Sequence, residues 1–270
     1  MKLVRFLVML GLLIGFHSVT MAQQNDVEYG PFTIVQKEFI DLDGDGKKDI
    51  IELYARKNQY NLANEWSLKI NGKQLGTYHN KQDLYQLADM KFADVLQNGK
   101  QDILLYFHSV GSGGITGLTV LSYTGEKIEE IFKDPNTSGW FDEAKKRFSM
   151  KYMGDYQIEF IDKQTDLEAV IPLSEDRYKD FPDKEELQKR LEAIETWVDP
   201  ASSYRFDKLT KMKPQEIVAI RAVSGIAHYD VIAFFETRYV FDNQTQHYVP
   251  TKVALISTET GKKLAEVPYK

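Results

Sequence analysis

The sequence predicts an all-β, mainly antiparallel fold, and three features of the chain indicate it. Short runs rich in β-branched and aromatic residues recur along the chain, and turn signals such as Asn71-Gly72 separate them. The acidic segment 41–49 has strand-like rather than helical sequence on both sides. A weaker copy of that segment and its flanks follows 53 residues later, which indicates a repeated β-unit.

Residues 1–22 are predicted to be a secretory signal. Lys2 and Arg5 form a basic start, the apolar stretch 6–16 follows, and Thr20-Met21-Ala22 offers small residues for cleavage. The apolar stretch is shorter than the roughly 20 residues that a membrane helix needs, and an uncleaved anchor is the alternative. We therefore expect a bacterial protein that is secreted or held in the cell envelope, without a stable membrane span.

Composition narrows the class of partner and of site. The formal net charge is −6, and it becomes more negative when Lys2 and Arg5 leave with the signal, so nucleic acid and anionic membranes are unfavourable partners. The chain has no cysteine, which excludes disulfides and cysteine-ligated zinc sites. Stability must therefore come from an apolar core and from any metal that the folded state binds.

The segment 41–49 reads Asp-Leu-Asp-Gly-Asp-Gly-Lys-Lys-Asp and is the strongest metal-site signal in the chain. Its four carboxylates repel one another unless a cation neutralises them, and Ca²⁺ takes about six to eight oxygen ligands of this kind. Gly46 permits the sharp bend that turns the ligands inward. The predicted ligands are the side chains of Asp41, Asp43, Asp45 and Asp49 and the backbone carbonyl of Lys47.

The same spacing fits an EF-hand, in which Glu52 would occupy the twelfth position of the loop. An EF-hand requires a helix on each side, whereas residues 32–40 and 50–54 are both strand-like. Lys48 also stands where an EF-hand usually has an aliphatic residue. The flanks therefore favour a loop between strands over a helix–loop–helix unit.

A second, weaker loop lies within residues 92–103, which match 39–50 in register. Leu96 replaces the middle carboxylate of the first loop, and fewer charged ligands bind Ca²⁺ more weakly. The sequence leaves open whether this loop binds metal or is a metal-free turn with Asn98-Gly99 at positive φ. The retained ligand positions are Asp94, Asn98 and Asp102.

On these residues the chain resembles the FG-GAP/VCBS-type repeat family of extracellular proteins. In that family a D-x-D-G-D-G-x-x-D loop binds Ca²⁺ between strands of a β-propeller blade, and residues 41–49 match every position of that pattern. The resemblance implies a structural Ca²⁺ ion and a propeller-like or irregular β-array of about four to five sheet units. It is specific over 39–54, partial over 92–107 and weak elsewhere.

Turn signals also predict where the other strands lie. Hairpins are expected at 66–70 with Asn71-Gly72, at 118–132 around Thr124-Gly125, and at 148–161 around Gly154-Asp155. Three further strands are expected at 217–223, 231–241 and 248–257, followed by a turn at Thr260-Gly261.

One surface helix is predicted, at 183–195, because Asp183 can cap it and its apolar residues share one face. Residues 199–214 contain Asp-Pro, serines and a basic cluster, so they are expected to form a loop. The predicted organisation is a signal at 1–22, a β-repeat region with the calcium loops at 23–175, a helical connector or insertion at 176–205, and a C-terminal β-unit at 206–270 that packs on the first region.

The sequence shows no recognisable catalytic constellation. His228 and Asp230 are two residues apart, which suits either a base with its orienting carboxylate or a polar pair at the start of a strand. The segment 110–114 is glycine-rich but lacks the Gly-Lys-Ser/Thr end of a phosphate loop, so a turn is expected there. The three tryptophans, Trp66, Trp140 and Trp197, would stack on sugars if exposed, and burial between sheets is the default expectation.

Two function classes remain. We expect a non-catalytic calcium-binding β-repeat protein that binds an extracellular protein or a cell-wall component. The alternative is a secreted calcium-dependent hydrolase on a propeller-like scaffold, in which distant carboxylates converge on an ion with an open coordination position.

Overall fold

The computed structural model describes residues 28–79, 85–109, 114–134, 139–208, 210 and 213–270, and these form an antiparallel all-β fold with two short α-helices. The predicted all-β, mainly antiparallel class is therefore confirmed. The predicted signal at 1–22 and residues 110–113 of the glycine-rich segment lie outside the described residues.

The elements follow one another in this order. The first eight strands are β1 (Tyr29–Ile40), β2 (Asp49–Asn58), β3 (Ala63–Ile70), β4 (Lys73–His79), β5 (Tyr85–Ala93), β6 (Asp102–Ser109), β7 (Thr116–Tyr123) and β8 (Ile128–Lys133). Then come α1 (Trp140–Arg147), β9 (Phe148–Gly154), β10 (Gln157–Asp162), β11 (Leu167–Pro172), a 3₁₀ turn (Glu175–Tyr178) and α2 (Lys184–Glu192). The last strands are β12 (Val198–Asp207), β13 (Glu216–Ser224), β14 (Val231–Asp242), β15 (His247–Ser257) and β16 (Lys263–Pro268).

The largest sheet consists of two four-stranded meanders. Strands β1 to β4 form the first meander and β5 to β8 the second, with each strand antiparallel to the next. The backbone pairing of Ala63 with Tyr85 joins the two meanders. In each meander an acidic loop connects the first strand to the second, so the repeat in the sequence corresponds to a repeat in the structure.

Strands flank the first acidic loop on both sides, which excludes the EF-hand alternative. Phe39 pairs with Ile50 and Ile40 pairs with Asp49, so β1 and β2 remain in register up to the loop. The Asn71-Gly72 turn joins β3 to β4 with φ of 50° and 79°, as its sequence predicts.

The C-terminal half contains a three-stranded sheet in the order β11-β10-β9 and a five-stranded meander from β12 to β16. The predicted strands at 148–161, 217–223, 231–241 and 248–257 are confirmed. The two C-terminal sheets have linear strand orders, whereas the largest sheet branches at β3, which pairs with β2, β4 and β5. Within the described residues no sheet closes on itself. The architecture at this level is an irregular array of four antiparallel units: two meanders, the three-stranded sheet and the five-stranded meander.

The structure corrects the prediction for the chain between the repeats and β13. Strand β12 (Val198–Asp207) lies where a loop was expected, because the backbone of β13 supplies its hydrogen-bond partners. The predicted helix at 183–195 is confirmed as α2, which is shorter and begins where Asp183 caps the amides of Glu185 and Glu186. Helix α1 was not predicted. Neither α-helix in the described residues is long and apolar enough to cross a membrane.

Three clusters of buried apolar side chains form the core. One fills the two N-terminal meanders, and a larger one lies among α1, α2 and the C-terminal sheets. The third joins the second meander to the five-stranded sheet, where Leu104 and Phe132 pack with Ile217 and Tyr248. At the same junction the buried Arg221 donates from Nη2 to both carboxylate oxygens of Asp134, at 2.8 and 2.9 Å. The N-terminal and C-terminal sheets therefore pack against each other.

Candidate metal site

One buried apolar side chain anchors the first acidic loop, residues 41–49, to the core. Leu42 is fully buried in the core of the N-terminal meanders, while the polar residues on either side of it face outward. Gly44 and Gly46 have φ of 79° and 85°, a left-handed conformation that side chains with a Cβ rarely adopt. The alternation of aspartate and glycine thus places acidic side chains around a tight turn.

The carboxylate of Asp41 organises the turn. Its two oxygens accept hydrogen bonds from the backbone amides of Gly44 (2.8 Å) and Gly46 (2.9 Å). An aspartate that accepts amides from the loop ahead of it stabilises the bend even without a cation. The loop is therefore shaped in advance of any metal that it binds.

Asp49 closes the loop at the start of β2. Its Oδ2 accepts from the Leu42 amide (3.0 Å), and its Oδ1 accepts from the side-chain amide of Asn71 (2.7 Å). The Asn71 carbonyl oxygen in turn accepts from the Ile50 amide (2.9 Å). Asn71 was predicted only as a turn residue, and its contact with Asp49 depends on the pairing of β2 with β3.

Three of the predicted ligands converge. Carboxylate oxygens of Asp41, Asp43 and Asp49 lie within 4.8 Å of one another, and all three residues are half-buried. Asp45 lies outside this group: its Oδ1 accepts from the Lys47 amide (2.7 Å), and its Oδ2 is 3.5 Å from the Lys47 ammonium. The structure thus brings together three of the four predicted carboxylates.

The turn between β7 and β8 lies beside this group. A Cβ placed on Gly125 would be 3.1 Å from Asp43 Oδ2, so the turn approaches that carboxylate closely. Burial raises the pKa of the neighbouring Tyr123, and the charges of Asp49 and Asp43 raise it further. The atoms of the cluster that could bind a metal are all carboxylate oxygens, and hard oxygen ligands of this kind suit Ca²⁺. The residues present therefore fit a calcium ion.

The second acidic loop, residues 94–102, has a backbone hydrogen-bond arrangement similar to that of the first. Asp94 accepts from the amides of Asn98 and Gly99, both at 2.9 Å, and Gly99 is at the position of Gly46, which donates to Asp41 in the first loop. Asp102 Oδ2 accepts from the amides of Val95 (3.0 Å) and Leu96 (3.1 Å), as Asp49 accepts from Leu42. The two loops thus share a hydrogen-bond pattern as well as a sequence pattern.

The second loop differs from the first in charge and burial. Leu96 occupies the position of Asp43, and among the described residues only the first loop groups three carboxylates. Asp102 is 1 % exposed, and burial raises its pKa to about 6, although the amides of Leu96 and Val95 and the Ser122 hydroxyl act in the opposite direction. Its Oδ1 makes no hydrogen bond of acceptable geometry in the described structure. Positive φ occurs at Gln97 and Gly99, so the expectation that Asn98-Gly99 supplies both positive-φ residues is wrong.

The two loops lie side by side. The Gln101 amide donates to the Leu42 carbonyl (3.1 Å) and so connects one loop to the other. The side chain of Gln36 on β1 donates to the Met90 carbonyl on β5 (3.0 Å) and accepts from the Met90 amide (2.7 Å). The first strands of the two meanders are therefore neighbours, and both acidic loops lie at the same end of them.

The histidines make pairings that sequence spacing did not predict. His228 Nε2 lies 2.9 Å from Asp199 Oδ2, whereas the nearby Asp230 accepts from Arg177 and Tyr178. Of the two alternatives for His228 and Asp230, a base with its orienting carboxylate is therefore wrong, because the turn after β13 directs the two side chains to different partners. Both polar residues do lie just before the start of β14. His108 lies 2.7 Å from Asp89 on the adjacent strand.

Comparison with known proteins concerns a different part of the chain. Residues 146–256 match the family model described as the YybI C-terminal domain. About two fifths of the chain is thus similar to that family, from the end of α1 to near the end of β15. No curated protein matches the chain. The match lies outside both acidic loops, so it bears on the C-terminal sheets and not on the metal site.

Proposed function

We propose that this chain is an extracytoplasmic calcium-binding β-repeat protein that serves as a binding module rather than as an enzyme. The observation that carries the proposal is the convergence of Asp41, Asp43 and Asp49 within 4.8 Å in a loop that backbone amides have already shaped. A secretory signal, predicted at 1–22, would deliver the chain to a compartment where calcium is plentiful.

Electrostatics supports calcium as the occupant. Three carboxylates this close repel one another, and a divalent cation removes that repulsion. An ion that binds only the folded state stabilises it by about 2.7 kcal/mol when its concentration is a hundredfold above Kd. A structural ion would thus supply stability that secreted proteins often obtain from disulfides, which this chain lacks.

The repeated meanders support the FG-GAP/VCBS-type assignment and a propeller-like arrangement of the N-terminal units. Each meander has four antiparallel strands, and each acidic loop connects its first two strands. The Gln36 side chain bridges the first strands of the two meanders, which places these strands side by side as innermost blade strands would be.

The position of the metal-ligating carboxylates in the chain favours a structural role for the ion over a catalytic one. Among the described residues, the carboxylates grouped at the site all come from the first loop. A catalytic ion would require donors from distant segments and an open coordination position in a cleft. We infer that the protein acts by binding an extracellular or cell-wall partner, for which the ion stabilises the scaffold.

The test is calcium titration of wild type and matched variants by calorimetry and thermal melting. Calcium should raise the wild-type Tm by roughly 5–10 °C at a hundredfold excess over Kd, and Asp43→Asn should lose most of that rise. Asp180→Asn, which removes the same charge from an exposed residue outside both loops, should keep it. Absence of both a heat of binding and a Tm change in the wild type would refute the proposal.

A further inference from the structure

Trp197 departs from the expected burial of the tryptophans. Trp66 and Trp140 are 2 % and 8 % exposed, whereas Trp197 is 37 % exposed immediately before β12. The His228 ring stacks on the Trp197 indole, with centroids 4.8 Å apart and planes 12° apart. We refer to these two rings as the aromatic shelf.

One buried carboxylate positions both rings of the aromatic shelf. Asp199 Oδ1 accepts from the Trp197 indole N–H (3.0 Å), and Asp199 Oδ2 is 2.9 Å from His228 Nε2. The Asp199 side chain is 3 % exposed, so its two hydrogen bonds compensate for most of its lost hydration. Because the indole N–H is already bonded and His228 stacks on the ring, Trp197 offers a ligand only the apolar ring surface that His228 leaves uncovered.

The chain that carries the aromatic shelf is held rigidly. The Ser224 amide donates to the Trp197 carbonyl (3.0 Å), which ties the start of β12 to the end of β13. The turn after β13 is closed around Asp230, whose carboxylate accepts from Ile226, Tyr178 and Arg177. The structure therefore holds Trp197 in place before any ligand arrives, which lowers the entropic cost of binding.

A cleft of about 320 Å³ is lined in part by Trp197, one of the two rings of the shelf. Its size is at the lower end of the range of small-molecule pockets, about 300–1,000 Å³. Its walls combine apolar surface with three charged side chains at the rim. The lining includes Trp197, Ile194, Ile226, Glu186, Arg190 and Glu195.

The charged residues of the cleft can both donate and accept hydrogen bonds. Arg190 Nε donates to Glu186 Oε1 (2.9 Å), which holds the two side chains side by side on α2. Glu195 is exposed and appears in no ion pair in the described structure. A ligand with an apolar face and a ring of hydroxyl groups matches a flat indole bordered by carboxylates and a guanidinium.

We propose that this cleft binds a saccharide, specifically a β-linked pyranoside whose substituents are all equatorial. Such a sugar has an apolar C–H face that can stack on Trp197, while its hydroxyl edge faces Glu195, Glu186 and Arg190. The proposal rests on the proposed role as a binding module and names its ligand class, and it does not depend on calcium. The cleft lies inside the region that is similar to the YybI C-terminal domain family.

Tryptophan fluorescence tests the proposal directly, because Trp197 is the exposed member of the three tryptophans. The probes are the β-1,4-linked tetramers of N-acetylglucosamine and of glucose, with the α-linked glucose tetramer as the comparison. A β-linked tetramer should change the emission saturably and bind more tightly than the α-linked one. By calorimetry, Trp197→Ala should weaken binding about tenfold, the equivalent of losing one well-formed aromatic contact.

Two variants keep the test decisive if Trp197→Ala folds poorly. Glu195→Lys changes an exposed side chain and should weaken binding several-fold, because an ammonium cannot accept hydrogen bonds from sugar hydroxyl groups as a carboxylate does. Tyr60→Ala removes an exposed aromatic ring in the turn after β2 and should leave binding unchanged. Binding should also persist in EDTA, so a chain that binds calcium but no sugar would refute only this inference. The absence of saturable binding of both β-linked tetramers at millimolar concentration would overturn it, as would equal affinity of wild type and Glu195→Lys.

Discussion

The ion pair between Asp134 and Arg221 offers a sharp test of how the two halves of the molecule depend on each other. Asp134 follows β8 and Arg221 lies on β13, and the two residues are 4 % and 3 % exposed. The Asn substitution at Asp134 keeps the shape of the side chain but removes the charge that compensates a buried guanidinium.

The structure indicates the size of the effect. Breaking a buried pair by removing one charge costs about 3–5 kcal/mol, because the other charge stays buried without compensation. The Trp140 ring lies 4.8 Å from the Arg221 guanidinium and offsets part of that cost, by about 0.5–2 kcal/mol. The Tyr204 hydroxyl donates to Asp134 Oδ2 and also to the Thr116 carbonyl. In the variant it still has the Thr116 carbonyl as acceptor, so this hydroxyl does not become unpaired. We therefore expect Asp134→Asn to lower the free energy of unfolding by about 3 kcal/mol.

Urea denaturation of a double-mutant cycle measures this coupling. Arg221→Met removes the charge that Asp134 compensates, so the loss caused by Asp134→Asn should be much smaller in that background. The pair joins the second meander to the five-stranded sheet. Asp134→Asn should therefore also make the two halves of the molecule unfold at different urea concentrations. A single-variant loss below about 1 kcal/mol, or equal losses in both backgrounds, contradicts this account of the junction.

Three further predictions follow from particular contacts. Asp94→Asn should reduce the calcium-dependent rise in Tm much less than Asp43→Asn does, because the second loop groups fewer carboxylates; equal losses in calorimetry and melting would contradict this. In EDTA, the wild-type free energy of unfolding should fall by about 2–3 kcal/mol as the pH rises from about 4 to 6. The reason is that the pKa of Asp102 is higher in the folded than in the unfolded state, so ionisation of this carboxyl disfavours folding. Asp102→Asn should remove that loss in urea titrations at each pH, and an unchanged profile would exclude Asp102 as its cause. Gly225→Ala should cost about 1–3 kcal/mol, because its Cβ would collide with the Asp230 carboxylate, whereas Gly139→Ala, which meets open space, should be close to neutral.

Signals that act over a few residues were predicted correctly from the sequence. The Asn71-Gly72 turn, the cap at Asp183 and the strands on both sides of the acidic loop depend on backbone preferences and hydrogen bonds between near neighbours. The repeat at a spacing of 53 residues belongs to the same class, since one local pattern folds into the same meander twice.

Features that depend on distant partners were missed. Strand β12 contains Pro200 and serines, which disfavour a strand, yet it forms on the edge of a sheet because β13 supplies its hydrogen-bond partners. Asp199 and His228 meet across 29 residues, and Arg221 and Asp134 across 87. Spacing along the chain carries no information about such pairs.

The sequence by itself determined the class of the fold, the acidic loops and the oxygen donors that suit calcium, because turn chemistry and charge are properties of short segments. The tertiary structure decided which of these groups meet. It turned Asp45 away from the other carboxylates, paired His228 with Asp199, and left Trp197 exposed beside a cleft. The physical reason is that burial and side-chain contact depend on how sheets pack, and packing joins residues whose separation along the chain is arbitrary.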